Sequence, residues 1–207
     1  MKPVYHLLVL FMILPILHSC HFIHFMATKE PGDESEKQVV TYLEKHRFHF
    51  ADYNLFLTDS LRPLFSDSLH ALDRWKFDNG KRQAEIQIQV YDSTGNLVNG
   101  YGLCYGYYER LDILATKELR FFPQLPTNYR LKLANQPVLW EISDGQKEAI
   151  LKEAPQNKYT FVVYWNIWSN HYSEVILKSV RKYLKKYESD AFKVLVILVN
   201  TGIKPQT

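Results

Sequence analysis

Apolar positions along this chain recur with two different periods. In residues 84–91 the period is two: Ile86, Ile88 and Val90 fall on one side and Gln87 and Gln89 on the other, the signature of a strand. Asp92-Ser93-Thr94-Gly95-Asn96 then supplies turn chemistry, and residues 97–108 return as a tyrosine-rich strand, so a β-hairpin is predicted. Gly100, Gly102 and Gly106 in the return strand point to bulges or close backbone approach. Further strands are predicted over 118–122, 129–133 and 138–142, with Pro123 and Pro126 breaking the chain between the first two. Helical spacing predicts a helix over 35–47, carrying Val39, Val40 and Leu43. A second is predicted over 61–75, interrupted at Pro63, and a third over 146–154.

The carboxy-terminal third reads most clearly. Residues 159–165 form an apolar strand, and a helix over 170–188 follows with Val175, Ile176, Val180, Tyr183, Leu184 and Tyr187 as its apolar stripe. The next run, 192–200, is apolar throughout, as in a parallel strand covered on both faces. Strand, helix and strand together predict a right-handed crossover unit. Lys178, Arg181, Lys182, Lys185 and Lys186 fill much of the rest of the helix. They read first as a solvated face supported by a Glu174–Lys178 pair at i,i+4, and in a sharper reading as a contact for anionic headgroups or an acidic partner.

The amino terminus bears on location. After Met1 and Lys2, residues 4–17 form an apolar run with the length of a signal-peptide core, ending in Leu17-His18-Ser19-Cys20. This looks like a bacterial lipoprotein signal, in which Cys20 becomes the lipidated first residue; Leu17 and Ser19 fit that pattern and His18 departs from it. The competing reading is an uncleaved membrane anchor, because no charge falls between Lys2 and Lys29. Pro15 and the histidines His6, His18, His21 and His24 weigh against a spanning helix. Either way the expectation is a membrane-anchored protein of the bacterial cell envelope, facing the periplasm or the cell surface. His18, Cys20, His21 and His24 have metal-ligand types, but they straddle the cleavage point and read as tether residues, so no metal and no cofactor is expected.

Composition narrows the classes further. A chain of 207 residues with 46% hydrophobic content can bury a substantial core, and a net charge of +3 gives no reason to expect nucleic acid. Two cysteines exclude a disulfide-stapled scaffold and a cysteine-based zinc site. The organisation read from these patterns is a lipoprotein signal peptide over 1–19, a tether over 20–37, an α+β amino-terminal domain over 38–136 and a second domain over 137–207.

That second domain resembles the thioredoxin superfamily, specifically its envelope-tethered TlpA-like branch. Trp165 and Trp168 form the Trp-x-x-Trp that precedes the family's Cys-x-x-Cys, and the segment 137–145 looks like the branch's opening strand and Asp-Gly turn. The expected fold is therefore an α+β amino-terminal region followed by a partial α/β thioredoxin-like βαβ unit. The resemblance implies thiol–disulfide exchange, but the two cysteine positions here fall on Ser169 and Tyr172, with Asn170 and His171 between them. Exchange needs a thiolate attacker and a resolving thiol, and neither side chain supplies one.

Cys104, the remaining thiol, reads as a packing residue, with residual or partner-dependent redox activity as the alternative. A Ser169–His171 nucleophile–base pair is disfavoured, since residues two apart on a helix point to different sides; Ser169 or Asn170 as an N-cap accounts for the same letters. Family members continue past the crossover with a helix, a cis-proline loop, a hairpin and a last helix. Here the expectation is a truncated unit whose sheet is completed by upstream strands or by a partner. The function expected is a non-catalytic binding or scaffolding lipoprotein with a degenerate active site, held to the membrane by its lipid and able to meet an envelope protein partner.

Overall fold

The computed structural model describes residues 34–56, 86–102, 114, 116–119, 132–136, 138–141 and 144–202. Their elements are α1 (Glu36–Lys45), β1 (Tyr53–Phe56), β2 (Gln87–Asp92), β3 (Leu97–Gly102), α2 (Val138–Glu141), α3 (Asp144–Glu153), β4 (Tyr159–Trp165), α4 (Asn170–Tyr187) and β5 (Val194–Asn200). The five strands make one mixed sheet in the order β1-β5-β4-β2-β3. β4 and β5 run parallel around α4, and the short β1 extends the parallel part on the far side of β5. The β2–β3 hairpin lies antiparallel against β4, with Ile88 opposite Val163 and Val90 opposite Phe161. Upstream strands therefore complete the sheet around the crossover, and strands from both sides of residue 136 share it.

Alternation along the strands sorts the core into two layers. Phe161, Val163 and Trp165 of β4, Val194, Val196 and Leu198 of β5, and Ile88 and Val90 of β2 pack with α4 and α1. Val162 and Tyr164, Leu195, Ile197 and Val199, and Tyr91 face Val138 and Leu139 of α2 and Ile150 of α3. The result is a helix–sheet–helix arrangement of the α+β class, and β5 is buried along its whole length.

Local chemistry explains the ends of the elements. α1 starts in a capping box, in which Ser35 Oγ accepts from Gln38 N at 3.3 Å and Ser35 N donates to Gln38 Oε1 at 2.8 Å. It stops where Arg47 takes a left-handed φ of 56°, which lets Phe48 N return to Leu43 O at 2.9 Å. Val40 does not join the apolar face; it is 49% exposed, whereas Val39, Tyr42 and Leu43 are buried. The hairpin turn is tied by Asp92, whose Oδ1 accepts from Thr94 N at 2.9 Å and from Asn96 N at 3.0 Å, with Gly95 supplying the φ of +75° between them.

The strand expected over 138–142 is instead the helical turn α2. Val138 and Leu139 are adjacent in sequence and both enter the same core layer, which a strand would forbid by sending them to opposite faces. Glu118 and Leu119 lie in a turn and its continuation rather than a strand, and Leu133 begins a 3-10 turn (Leu133–Asn135). The helix expected over 61–75 and the stretches 103–108, 120–122 and 129–131 lie outside the described residues, as do the apolar run 4–17, Cys20 and Cys104. Among the described residues no helix is long and apolar enough to cross a membrane.

Candidate functional site

The turn between β4 and α4 is where the sequence puts its most specific motif. β4 delivers Trp165 into the core at 1% exposure, with its ring stacked against Tyr42 of α1 at a centroid separation of 5.5 Å. Among the described residues neither the Trp165 indole Nε1 nor the Tyr42 hydroxyl has a hydrogen-bond partner. Trp168 is half-buried at the rim, as is Asn170, while Ser169 and Tyr172 are buried and His171 is exposed. Ser169 and Tyr172, the positions that the expected resemblance aligns with the two cysteines, are thus inside the protein.

Asn166, which sequence reasoning did not single out, organises the turn. Its Oδ1 accepts from Ser169 N at 2.8 Å and its Nδ2 donates to Thr201 Oγ1 at 3.1 Å. The Asn166 main chain is held as well, because Ser173 Oγ donates to Asn166 O at 2.6 Å and accepts from Asn166 N at 3.2 Å. A serine within the apolar stripe of α4, level with Ile176 and Leu177, was the readable sign of this link.

Ser169 does occupy the N-cap position, but it does not cap. Its backbone, at φ −76° and ψ 5°, lacks the extended geometry that aims a cap side chain at the helix, and its hydroxyl makes no cap bond. The asparagine side chain reaching Ser169 N takes over part of that task. Ser169 is buried and His171 exposed.

The first turn of α4 contains no acidic side chain. A carboxylate arrives there from elsewhere in the chain. Glu34, at 7% exposure, accepts at Oε1 from Ile167 N at 2.6 Å and Trp168 N at 3.1 Å, and at Oε2 from Asn200 Nδ2 at 2.9 Å. Its own N–H donates to Gly202 O at 3.1 Å. Burial pushes the Glu34 carboxyl above the ordinary range, while the donors from Asn200, Trp168 and Ile167 pull the other way. Nothing in the sequence marked this residue, since it sits in a polar run (27–37) where every acid looks alike.

The remaining helix features are simple. Glu174 pairs with Lys178 as the i,i+4 spacing predicts, and its second oxygen lies 3.4 Å from His46 Nδ1. The hydrogen bond from Lys178 is the main reason the Glu174 carboxyl titrates below its ordinary value. Arg181 is not part of a free basic face: it donates to His46 O at 3.2 Å and Arg47 O at 3.3 Å and lies over the Phe48 ring. Lys182, Lys185 and Lys186 are exposed. Among the described residues no group of three or more histidine, cysteine, aspartate or glutamate side chains is placed to hold a metal ion.

No protein-family model, curated protein or solved structure matches this chain.

Proposed function

We propose that this chain is a bacterial envelope lipoprotein whose thioredoxin-like element serves binding or scaffolding, not thiol–disulfide exchange. The observation that carries the reading is the burial of both Ser169 and Tyr172, at 3% and 4% exposure, in the positions where a dithiol would work. A hydroxyl and a phenol there provide no thiolate, and their burial leaves no approach for a protein disulfide. The sheet supports the thioredoxin-like reading: a parallel strand–helix–strand crossover is flanked on the β4 side by an antiparallel hairpin. In this chain that hairpin comes from upstream. The Trp165–Tyr42 stack and the Glu34 contacts give the turn a structural task in place of a catalytic one.

Lipidation at Cys20 would leave the folded part tethered at the periplasmic or outer surface, where partner binding is the role that remains. The test is reduction of a protein disulfide by the purified full chain with a dithiol reductant present. The expected rate is that of the reductant alone. Multiple turnovers per protein molecule would overturn the proposal.

A further inference from the structure

Glu34 is a buried carboxyl that pairs with no cation among the described residues, and its donors Ile167 N, Trp168 N and Asn200 Nδ2 converge on one spot at the amino end of α4. We infer that the β4–α4 turn, with Asn200 and Gly202, is a carboxylate-binding site whose ligand in this chain is the side chain of Glu34. The inference does not depend on the function proposed above.

The geometry is that of a receptor. Two successive main-chain N–H groups, from Ile167 and Trp168, point at one oxygen, which is how peptide backbone grips an anion. Asn200, 1% exposed at the end of β5, presents its amide to the other oxygen, and its own Oδ1 is fixed by Gly202 N at 2.9 Å. Gly202 shapes the wall: a Cβ there would come within 2.3 Å of Glu34 Cδ and 2.5 Å of Oε1. The amino end of α4 adds a favourable field and brings no acidic residue of its own. Among the described residues Tyr42 of α1 feels the Glu34 carboxyl, its phenol being pushed up by burial and by the charges of Glu174 and Glu34.

The consequence concerns the junction between the leader segment and the folded body. Glu34 immediately precedes the capping box of α1, so its carboxylate latches the start of the first helix to the crossover turn. Vacating the site would free both the latch and a pocket matched to a carboxylate supplied by another molecule. The ligand class is a carboxylate group, with acetate as its smallest representative.

Chemical rescue tests this on the full chain. Glu34→Ala keeps the Cβ and leaves room for acetate. The variant should melt at lower temperature than the parent, and its Ile167 and Trp168 amides should exchange with solvent at least about tenfold faster. Acetate should raise the melting temperature saturably and restore amide protection, while equal acetamide or chloride should not. Acetate acting equally on variant and parent, or no better than acetamide, would overturn the inference. Should Glu34→Ala fail to fold, the parent itself decides by NMR. The Ile167 and Trp168 amide protons should shift with pH at the midpoint of the Glu34 carboxyl, displaced upward from the ordinary carboxylate value. Amides that stay indifferent to that titration would sink the idea.

Discussion

The two faces of the sheet are buried to the same degree by different chemistry. Against α1 and α4 the contacts are apolar and aromatic, from Phe161 and Tyr183, 5.2 Å apart, to Trp165 and Tyr42. Against α2 and α3 the aliphatic layer of Val162, Leu195 and Ile197 adjoins a buried relay of polar groups. Tyr164 OH donates to Gln136 Oε1 at 2.7 Å, Gln136 Nε2 donates to Tyr91 OH, Tyr91 OH donates to Gln89 Oε1 at 2.6 Å, and Gln89 Nε2 donates to Gln87 Oε1 at 3.4 Å. Gln136, Tyr91 and Gln89 each give and receive within the line, so it runs in one direction from Tyr164 to Gln87. Such a face specifies its packing by a line of side-chain hydrogen bonds, whereas the α4 face does so mainly by shape, with the Ser173–Asn166 bonds at its end.

The contrast breaks hardest on the apolar face. Phe161 is fully buried between β2 and α4, and Phe161→Ala should cost about 3–5 kcal/mol in urea unfolding, because the surrounding rings cannot collapse to fill the space. On the polar face the comparable experiment is Gln136→Leu, which keeps the volume but takes the Gln136 acceptor from Tyr164 OH and the Gln136 donor from Tyr91 OH, leaving Tyr91 its bond to Gln89. A loss of about 1–3 kcal/mol is expected, from two buried hydrogen bonds removed together. Tyr164→Phe alone should cost about 1 kcal/mol. Combined with Gln136→Leu it should add less than its own share, since the two side chains act as one unit. Additive costs would mean the relay is only a set of separate bonds.

The smallest effect is at the surface of α4. Lys178→Ala should cost no more than about 0.5 kcal/mol and vanish in high salt, as an exposed i,i+4 pair would. The Glu174 carboxyl titrates below its ordinary value in the folded protein. Its contribution is therefore present above the ordinary carboxylate range and lost as the pH falls through the lowered value. In Lys178→Ala that acid-side loss should shrink, which a urea series at stepped pH would show.

Sequence legibility followed the same division. The crossover was readable nearly residue by residue, because 159–165 is interrupted only by Thr160, 194–199 is apolar without a break, and α4 carries a clean stripe. Leu177, left out of the predicted stripe, is fully buried in it. The hairpin was readable from alternation, with Ile86, Ile88 and Val90 on the α4 side as expected. The alternation did not show that Gln87 and Gln89 are covered too, at 2% and 1% exposure. A glutamine facing a buried partner and one facing water leave the same letter in the chain.

β1 was missed because four residues, Tyr53–Phe56, are too few to display a period. Helix α2 was mistaken for a strand because its β-prone residues suggested pairing, whereas in the fold it lids the sheet. At the candidate site the motif positions Trp165 to Tyr172 were legible, but what holds them was not. Glu34, Asn166 and Thr201 meet only after the sheet has formed, and Glu34 joins Asn200 from 166 positions away.

Whether the crossover turn is closed decides between a binding and a redox protein. Ser169→Cys places a thiol at the position to which the proposed thioredoxin-like reading assigns the first cysteine. The direct measurement is its alkylation rate at neutral pH, resolved by peptide mass spectrometry from Cys20 and Cys104 and compared with the same chain in urea. Burial of this position at 3% exposure predicts strong protection in the folded protein and an ordinary rate in urea. A folded-state rate equal to or above that in urea would mean an open, activated site, and would contradict the closed turn on which the reading rests.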